Sequence, residues 1–256
     1  MSEIQTELDG AILRIAINRA HKKNALTAQM YSELATAFER ADTDSAVRVV
    51  LLHGNGDSFT AGNDLEDFLK RPWTGDDMPP AVRFMYAVAK ATKPVIAAVQ
   101  GSAVGIGTTI LLHCDLVYAA EGARFMMPFV DLGIVPEAGS TLLLPALVGR
   151  QRAAELLMLT APLTAQRARE LGLVNAVVAP DALLATAMEA ARQLVAKPAG
   201  ALHLTKQLLG KPCAAELDHV MREEVRIVRQ RLVSPETKEA LTAFLEKRKP
   251  DFSKFQ

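Results

Sequence analysis

An uncharged run of 19 residues, from 94 to 112, constrains the possible folds more than any other feature of this chain. Its sequence is PVIAAVQGSAVGIGTTILL, and its length is that of a candidate membrane-spanning helix. Gln100, Thr108 and Thr109 interrupt it, and three glycines lie near its middle. A β-prone VIAAV segment, a glycine turn and a helix explain these residues better. The run therefore predicts a strand–turn–helix unit in a soluble protein without a membrane partner.

Strand and helix patterns alternate along the first 180 residues. Strands are predicted over 4–8, 11–17, 47–53, 94–99 and 116–119, with the first two joined in a hairpin. Helices are predicted from the N-cap Thr27 to about 41, and over 64–70, 79–91 and 105–113. After Ala179 the pattern is helical, with Asp181 as the cap of a helix to about 197 and further helices over 202–209, 214–232 and 235–247. We therefore expect an α/β core over 1–195 and a helical C-terminal subdomain over 196–256.

The overall charge balance argues against several classes of partner. Lys and Arg number 29, as do Asp and Glu, and aromatic residues make up 5%, so no nucleic-acid surface is expected. Cys114 and Cys213 lie far apart without Cys or His at ligand spacing, which argues against a disulfide framework and a zinc site. The polar start of the chain resembles no signal or transit peptide. We therefore expect a cytoplasmic protein without a bound metal.

Two glycine-containing turns are the strongest signs of chemistry. Residues 59–65 read FTAGNDL and residues 101–107 read GSAVGIG, and each turn follows a predicted strand and opens a predicted helix. A helix start leaves backbone N–H groups free, and glycines let a ligand approach the main chain. If the two turns converge, these N–H groups form an oxyanion hole, and otherwise the glycines only shape turns. Ile110 stands where a dinucleotide-binding fingerprint needs its third glycine, which argues against that interpretation.

Glu137 is the carboxylate that most needs an explanation, because it lies in the apolar segment LGIVPEAGST. It is either a catalytic base, an exposed loop residue or a neighbour of a helix N-cap. Asp131 is a nearby rival, whereas Asp64 is better explained as an N-cap and His113 as a core residue. The residues alone thus predict an α/β enzyme that stabilises an anion and has a candidate carboxylate base.

Five segments together resemble the enoyl-CoA hydratase/isomerase, or crotonase, superfamily over almost the whole chain. They are NRAHKKNAL from residue 18, FTAGNDL from 59, KPVIAAVQGSAVGIG from 93, PFVDLGIVPEAGSTLLLPALVG from 128 and FLEKRKPDF from 244. The resemblance implies a crotonase-like core of repeated strand-strand-helix units, with a helical C-terminal subdomain that covers the active site. It also implies a homotrimer or hexamer that acts on an acyl-CoA of fatty acid metabolism. Coenzyme A is then part of the substrate, and no metal or redox cofactor is required.

The same resemblance implies the residues of the site. The backbone N–H groups of Asn63 and Ile106 would bind the thioester oxygen and stabilise an enolate. The family usually has a glycine in place of Ile106, but only the N–H group of this residue is needed. The residues implied to bind the substrate or its coenzyme A are Lys22, Lys23, Ala25, Ala61, Gly62, Asp64, Leu65, Gly105, Phe129 and Lys247. Lys247 would act from its own subunit or from a neighbouring one.

The active-site loop most resembles that of monofunctional 3,2-enoyl-CoA isomerases. The two glutamates of family hydratases correspond to Thr109 and Phe129, neither of which is a carboxylate. Glu137 matches the single glutamate of one isomerase branch, which implies that it moves a proton from C2 to C4 of a 3-enoyl-CoA. Ring-epoxide isomerases of phenylacetate metabolism carry an aspartate at this place. Ring-epoxide isomerisation, hydration through Asp131 or Glu137, and a non-catalytic acyl-CoA-binding protein stay alternatives.

Apolar side chains near these segments are candidates for the lining of the site. They are Phe84, Met126, Met127 and Phe129, with core packing as the alternative that is favoured for the two methionines. The loop over 70–82, which contains Trp73, is the candidate wall for the acyl group.

Overall fold

A computed structural model describes residues 2–70 and 78–255 of the chain. Its strands are β1 (Ile4–Asp9), β2 (Ile12–Ile17), β3 (Val49–Gly54), β4 (Val95–Val99), β5 (Ser102–Val104), β6 (Leu116–Ala120), β7 (Arg124–Met126), β8 (Leu163–Thr164) and β9 (Ala176–Val178). Its helices are α1 (Ala28–Thr43), α2 (Leu65–Lys70), α3 (Pro80–Ala89), α4 (Ile106–Thr109), α5 (Ser140–Val148), α6 (Arg150–Met158), α7 (Ala165–Glu170), α8 (Leu183–Val195), α9 (Ala199–Gly210), α10 (Ala214–Leu232) and α11 (Pro235–Leu245).

One large sheet organises the described residues. Its six strands follow the order β1-β2-β3-β4-β6-β9, and β5, β7 and β8 form a second, smaller sheet. β1 and β2 pair antiparallel, as predicted for the hairpin, and the other neighbours in the large sheet are parallel. The mixed α/β class predicted from the alternating patterns is confirmed.

The central strands are buried on both faces, which explains their continuous apolar sequences. All residues of β3 and β4 are buried. Because side chains alternate along a strand, Val49 and Leu51 pack with α8, whereas Val50 and Leu52 pack in the main core with α1 and α3. β3 and β4 are adjacent and parallel, so the turns that follow them leave the same edge of the sheet.

The pattern predicted for α1 is confirmed. Thr27 caps the helix by accepting a hydrogen bond from the N–H of Met30 at 3.3 Å. Met30 and Phe38 are buried. The rings of Tyr31 and Phe38 both contact Phe84 of α3, with centroids 5.9 Å apart. Phe84 is therefore a residue of the core.

The uncharged run over 94–112 folds as the strand–turn–helix unit that was predicted. It contains β4, the short strand β5 and α4, which continues into a 3-10 turn at Ile110–His113. The α-helix is shorter than predicted, because short helices often tighten into 3-10 geometry where their last carbonyls lack partners. Within residues 2–70 and 78–255, no helix has both the length and the apolar character needed to cross a bilayer.

The predicted cap of α8 is wrong. Asp181 lies inside a 3-10 turn, Pro180–Ala182, and α8 begins at Leu183 without a capping side chain. Pro180 explains the difference, because its fixed φ favours the start of a helical turn one residue earlier.

The sequence pattern also did not reveal β5, β7, β8 and β9, since strands of two or three residues are too short to show a period.

The last part of the described chain is helical, as predicted. α9, α10 and α11 follow α8, and α11 has Pro235 at its first position. Ser234 caps it by accepting a hydrogen bond from the N–H of Thr237 at 3.2 Å. The division into a core over 1–195 and a subdomain over 196–256 stays a prediction.

Candidate active site

The two glycine-containing turns lie side by side. The N–H of Thr60 donates to the carbonyl of Ser102 at 3.0 Å, and the N–H of Val104 donates to the carbonyl of Thr60 at 3.0 Å. Glycine is required where they meet, because a Cβ on Gly62 (φ +85°) would lie 2.8 Å from the carbonyl oxygen of Val104. The turns therefore converge, which is the condition for a shared anion site.

Asn63 and Ile106 present backbone N–H groups that donate to no protein acceptor in the part of the chain that the structure describes. Ile106 is the first residue of α4, where an N–H has no partner within the helix. Gly105 precedes it with φ 57° and ψ −118°, a conformation that L side chains rarely adopt. Both N–H groups remain available to an oxygen atom of a ligand.

Both of these residues line a cavity of about 700 Å³, a volume typical of small-molecule sites. Its walls come from residues within 22–66, 104–134 and 240–252. The residues predicted to bind the ligand that do line it are Lys22, Ala25, Ala61, Gly62, Asp64, Leu65, Gly105 and Phe129. The structure thus brings most of the predicted binding residues around one cavity.

Lys23 and Lys247 do not line this cavity. Both are exposed and have positive φ, 51° and 53°, and the carbonyl of Lys23 accepts a hydrogen bond from the N–H of Ala61 at 2.9 Å. Arg248 lines the cavity instead of its neighbour, together with Phe252. The basic residues KRK over 247–249 indicated a cationic side chain at the cavity, but which of them faces the cavity depends on where α11 ends.

Asn24 fixes the segment that forms one wall of the cavity. It is fully buried, and its side-chain amide donates to the carbonyls of Asn55 and Ser58 at 2.9 and 2.6 Å. Its side-chain oxygen accepts a hydrogen bond from the N–H of Arg19 at 2.8 Å. The hydroxyl of Thr60 donates to the carbonyl of Asn24 at 2.7 Å. These bonds tie the segment around residue 24 to the first glycine turn.

Asp64 lies at the start of α2, and its predicted role as an N-cap is confirmed. Its carboxyl accepts hydrogen bonds from the N–H of Asp67 at 3.0 Å and from the guanidinium of Arg19 at 2.6 Å. Burial opposes ionisation, but these bonds outweigh it and lower the pKa of Asp64. Asp64 is therefore a charged structural partner at the edge of the cavity.

Glu137 lies in the loop between the 3-10 turn at Val130–Leu132 and α5. It is half-buried, and its carboxyl forms no hydrogen bond or ion pair with any residue that the structure describes. Burial, and to a smaller extent the charge of Glu224, raises the pKa of Glu137 to about 7. Such a carboxyl can take up and release a proton near neutral pH.

Tyr31 links Glu137 electrostatically to the first glycine turn. Its phenol donates a hydrogen bond to the side-chain oxygen of Asn63 at 2.5 Å. Burial, followed by the charge of Glu137, raises the pKa of Tyr31 well above its usual range. Glu137 is not among the residues that line the 700 Å³ cavity. Tyr31 thus connects the first glycine turn, through its hydrogen bond to Asn63, with the charge of Glu137.

His113 has a role that its sequence context did not indicate. Its side chain is satisfied, as expected for a core residue, but the residue is half-buried. Its Nε2 lies 2.7 Å from the carbonyl oxygen of Ala138. A carbonyl only accepts, so Nε2 carries the proton. His113 thus holds the residue that directly follows Glu137.

Glu224 is a second residue of the site that sequence reasoning missed. It is buried on α10 and accepts hydrogen bonds from the N–H groups of Gly139 and Thr141 at 2.6 and 3.0 Å. A signal was present, because Met221 and Val228 occupy the same buried stripe three and four residues away. A carboxylate within an apolar stripe of a helix needs a buried partner.

The remaining candidates separate into lining and core residues. Thr109 is fully buried, and Phe129 is buried and forms part of the cavity wall. Met126 also lines the cavity, so the expectation of core packing is wrong for it, whereas Met127 and Phe84 do belong to the core. Neither position that the resemblance assigns to a hydratase glutamate carries an ionisable group.

Asp131, the rival carboxylate, is exposed at the cavity and accepts a hydrogen bond from the hydroxyl of Thr160 at 2.6 Å. Trp73, in the loop predicted to form the acyl wall, lies outside the described residues. Among residues 2–70 and 78–255, no three side chains of His, Cys, Asp or Glu are grouped so as to hold a metal ion.

Comparison with known proteins gives one consistent family. A family model described as "Enoyl-CoA hydratase/isomerase" matches residues 7–255. The chain is 36% identical to 1,2-epoxyphenylacetyl-CoA isomerase of Escherichia coli (strain K12), over 99% of both chains. It is also 36% identical to enoyl-CoA delta isomerase 2 of Rattus norvegicus, over 94% of this chain and 63% of that one. An enoyl-CoA hydratase/isomerase from Pseudoalteromonas atlantica T6c has a crystal structure with TM-score 0.94 and 40% identity, over 98% of this chain and 100% of that chain. Relatives named as enoyl-CoA hydratases match as well.

Proposed function

Because the chain belongs to the enoyl-CoA hydratase/isomerase family, we propose that this acyl-CoA enzyme converts a 3-enoyl-CoA to the conjugated 2-enoyl-CoA. Glu137 is the acid–base residue, and the backbone N–H groups of Asn63 and Ile106 stabilise the enolate. The observation that carries the proposal is the half-buried carboxyl of Glu137, which has a pKa of about 7 and no partner among the described residues. A carboxyl in that state is suited to carry a proton in both directions.

Isomerisation needs a group that moves one proton and a site that stabilises negative charge. Glu137 takes a proton from C2, and the electron pair of that C–H bond passes onto the thioester oxygen as the enolate forms. The protonated carboxyl then returns the proton at C4, and the double bond moves to C2–C3. Atoms and charges balance in this sequence without water, metal or a redox partner.

Stabilisation of the enolate supplies much of the rate, because an ordinary carboxylate is a weak base toward a C2 proton. Each oriented N–H donor at an oxyanion contributes about 3–4 kcal/mol. The rise in the pKa of Glu137 from 4.5 to about 7 adds basicity. Both effects act on the same step. The raised pKa of Glu137 favours removal of the C2 proton, and the two N–H groups stabilise the negative charge of the enolate.

Hydration is less well supported, because a hydratase has to position and activate a water molecule. Thr109 and Phe129 provide no carboxylate for this task, and Phe129 presents an apolar ring to the cavity. Glu137 then acts as a lone base. A lone base in a half-buried position suits proton transfer within a substrate better than the addition of water.

The cavity suits the coenzyme A part of such a substrate. Lys22 and Arg248 line it. We place the phosphate groups of coenzyme A beside Lys22, because the guanidinium of Arg248 is already paired with Glu239 and Glu246. Main-chain groups near Ala25 and Ala61 meet the nucleotide in this proposal. Lys247, which is exposed, would contribute from its own subunit or to a neighbouring one.

A second candidate is isomerisation of an aromatic ring epoxide bound as a coenzyme A thioester. It is favoured by the similarity to 1,2-epoxyphenylacetyl-CoA isomerase of Escherichia coli over nearly the full length of both chains. It is disfavoured by Glu137, since the resemblance to ring-epoxide isomerases implies an aspartate at this place. The two candidates share the acyl-CoA site and differ in the acyl group.

Turnover of a short 3-enoyl-CoA tests the proposal, followed as growth of the absorbance of the conjugated thioester. The isomerase proposal expects conversion without any added cofactor. Parallel assays with a 2-enoyl-CoA and with a ring-epoxide thioester measure hydration and the second candidate. Conversion of the epoxide alone would replace the first candidate by the second. Tight binding of acyl-CoA without turnover of any substrate would instead indicate a non-catalytic protein.

The pH profile of the reaction follows from Glu137, which faces the charge of Glu224 and the phenol of Tyr31. With a pKa of about 7, the carboxyl is mostly protonated at acid pH and cannot act as a base. We expect kcat/KM to rise about tenfold per pH unit below 7 and to level off above it. A rising limb centred near 4.5, the ordinary value, would contradict this assignment.

The stability of the fold should change with pH in the opposite direction. The folded pKa of Glu137 is raised from 4.5 to about 7, so the folded state favours the protonated carboxyl. Its stabilising contribution is therefore complete below pH 4.5 and is lost as the pH rises through about 7. Urea unfolding of wild type and Glu137→Gln across this range measures the difference.

Exposed apolar side chains support self-association as the homotrimer or hexamer implied by the resemblance. Leu208 and Leu209 of α9 are 65% and 75% exposed, and Met158 and Leu159 at the end of α6 are 68% and 74% exposed. Exposed apolar side chains that form a contiguous patch mark interfaces, and each of these two pairs is adjacent in the sequence. We expect sedimentation to give three or six copies, and Leu208→Lys combined with Leu209→Lys to give smaller species. A monomeric wild type would contradict the proposal.

A further inference from the structure

A buried carboxylate of α10, that of Glu224, contacts the loop that carries Glu137. The residue is 4% exposed. Its oxygens accept hydrogen bonds from the N–H of Gly139 at 2.6 Å, the N–H of Thr141 at 3.0 Å and the hydroxyl of Thr141 at 2.6 Å. No cationic side chain in the described part of the chain forms an ion pair with it. Burial raises the pKa of Glu224, and the hydrogen bonds from the loop offset part of this cost of a buried negative charge.

Glu224 belongs to α10 but acts as the N-terminal cap of a different helix, α5. α5 begins at Ser140, its N-cap residue is Gly139, and no side chain of its own caps it. The free N–H groups and the positive end of the dipole at a helix start both favour a carboxylate. Glu224 thus joins α10 to the start of α5 through charge-assisted hydrogen bonds.

The loop needs such support because its backbone is strained next to Glu137. Ala138 has φ +61° and Gly139 has φ +70°, and an alanine rarely adopts this conformation. On one side, Nε2 of His113 donates to the carbonyl of Ala138 at 2.7 Å. On the other side α10 packs closely, because a Cβ on Gly139 would lie 2.2 Å from Cδ1 of Leu217. The backbone that follows Glu137 is held from two directions.

We propose that Glu224 is a positioning residue for Glu137: by capping α5 from α10, it holds the strained loop so that the Glu137 carboxyl stays directed at the substrate. This inference rests on the proposed acid–base role of Glu137. Glu224 touches no reacting atom and acts through the backbone of residues 139–141. Its negative charge has a second effect, since it helps to raise the pKa of Glu137.

Glu224→Gln tests this role, because glutamine keeps the size of the side chain but turns an N–H₂ group toward N–H donors. With a 3-enoyl-CoA above pH 8, we expect kcat to fall about 10- to 100-fold and KM to change less than about threefold. The matched control is Glu223→Gln. Glu223 is the preceding residue on α10, but it is exposed and paired with Arg226. This control should leave both constants unchanged within about twofold.

Thr141→Val provides a second, milder test that does not depend on the folding of the first variant. It removes one of the three hydrogen bonds to Glu224 and leaves the charge in place. We expect kcat to fall about three- to tenfold. Combined with Glu224→Gln, it should add little, because both substitutions remove the same contact. Fully multiplicative losses would count against a shared contact.

The pH profile separates positioning from a loss of folded protein. Glu224 from α10 and Tyr31 from α1 face Glu137, and His113 contacts the adjacent residue, while Glu224 also faces Tyr86 of α3. Removing the charge of Glu224 should move the rising limb of kcat/KM to lower pH. An unfolded fraction would lower the whole profile and leave that limb where it is in wild type.

Amide hydrogen exchange tests the contact without any turnover. The peptide over residues 136–142 should exchange about tenfold faster or more in Glu224→Gln than in wild type, and should be unchanged in Glu223→Gln. Unchanged exchange, or unchanged kcat, would overturn the proposal. If wild type converts the epoxide and not the 3-enoyl-CoA, the proposed function fails. The role of Glu224 is then tested by measuring kcat of its variants with the epoxide. If wild type converts neither, both proposals fail.

Discussion

Replacing Glu137 by Gln is expected to lower kcat for a 3-enoyl-CoA by about 10²–10⁴-fold, the usual loss on removal of a general acid–base residue. The amide keeps the size of the side chain but cannot take a proton from C2 or return one at C4. Since Glu137 does not line the 700 Å³ cavity, the affinity for coenzyme A should change less than about threefold. Absorbance of the conjugated thioester gives the rate, and calorimetric titration with a saturated acyl-CoA gives the affinity.

Asp131→Asn is the matched control for this experiment. Asp131 belongs to the same segment but is exposed and bonded to the hydroxyl of Thr160, so its loss should cost less than about threefold in kcat. The Glu137 variant should also be at least as stable as wild type at pH 8, because it removes a charge that burial disfavours. Its inactivity would then not reflect unfolding. Activity that is lost in Asp131→Asn and kept in Glu137→Gln would show that Asp131, and not Glu137, is the acid–base residue.

Ile106→Pro is expected to lower kcat by about 10²–10³-fold, because it deletes one of the two backbone donors proposed for the enolate. Proline is tolerated at the first position of a helix, where the N–H has no helical partner. Ile106 holds this position in α4, and its N–H has no acceptor among the described residues. The substitution thus removes a group that the folded chain itself does not use. Steady-state kinetics with a 3-enoyl-CoA gives the loss.

The side chain of Ile106 complicates this test, since it is only 2% exposed. Ile106→Ala is the control: it keeps the N–H and loses packing worth about 2–4 kcal/mol of unfolding free energy. We expect it to retain kcat within about threefold while its melting temperature falls. Equal losses of kcat in the alanine and proline variants would show that packing, and not the N–H group, supports turnover.

Elements whose cause lies in neighbouring residues could be predicted from the sequence. Thr27 caps α1 because the N–H that it accepts is three residues away, and β4 is continuously apolar because both of its faces are covered. The sequence could not predict that the two glycine turns converge, because this depends on β3 and β4 being neighbours in the sheet. Sheet order is not written in the local pattern of either strand.

Features whose cause lies far along the chain could not be predicted. Glu224 meets Gly139 across a separation of 85 residues, and no local pattern links α10 to that loop. Arg248 replaces Lys247 at the cavity because α11 ends at Leu245 and the chain then turns with a positive φ. Even the local rule for Asp181 failed, because Pro180 started a turn before it. The apolar context singled out Glu137 and the family resemblance implied its role, but neither indicated the residues that hold its loop.

The cavity has a thermodynamic consequence that follows from the origin of its walls. Lys22 and Phe252 lie near opposite ends of the chain, yet both line it. A ligand that fills the cavity therefore acts as a reversible crosslink between the first and the last part of the protein. At a free concentration 100 times its Kd, such a ligand stabilises the folded state by about 2.7 kcal/mol. Occupancy of the cavity and the folding of the segments that line it are thus thermodynamically linked, and the free ligand concentration sets the gain in stability.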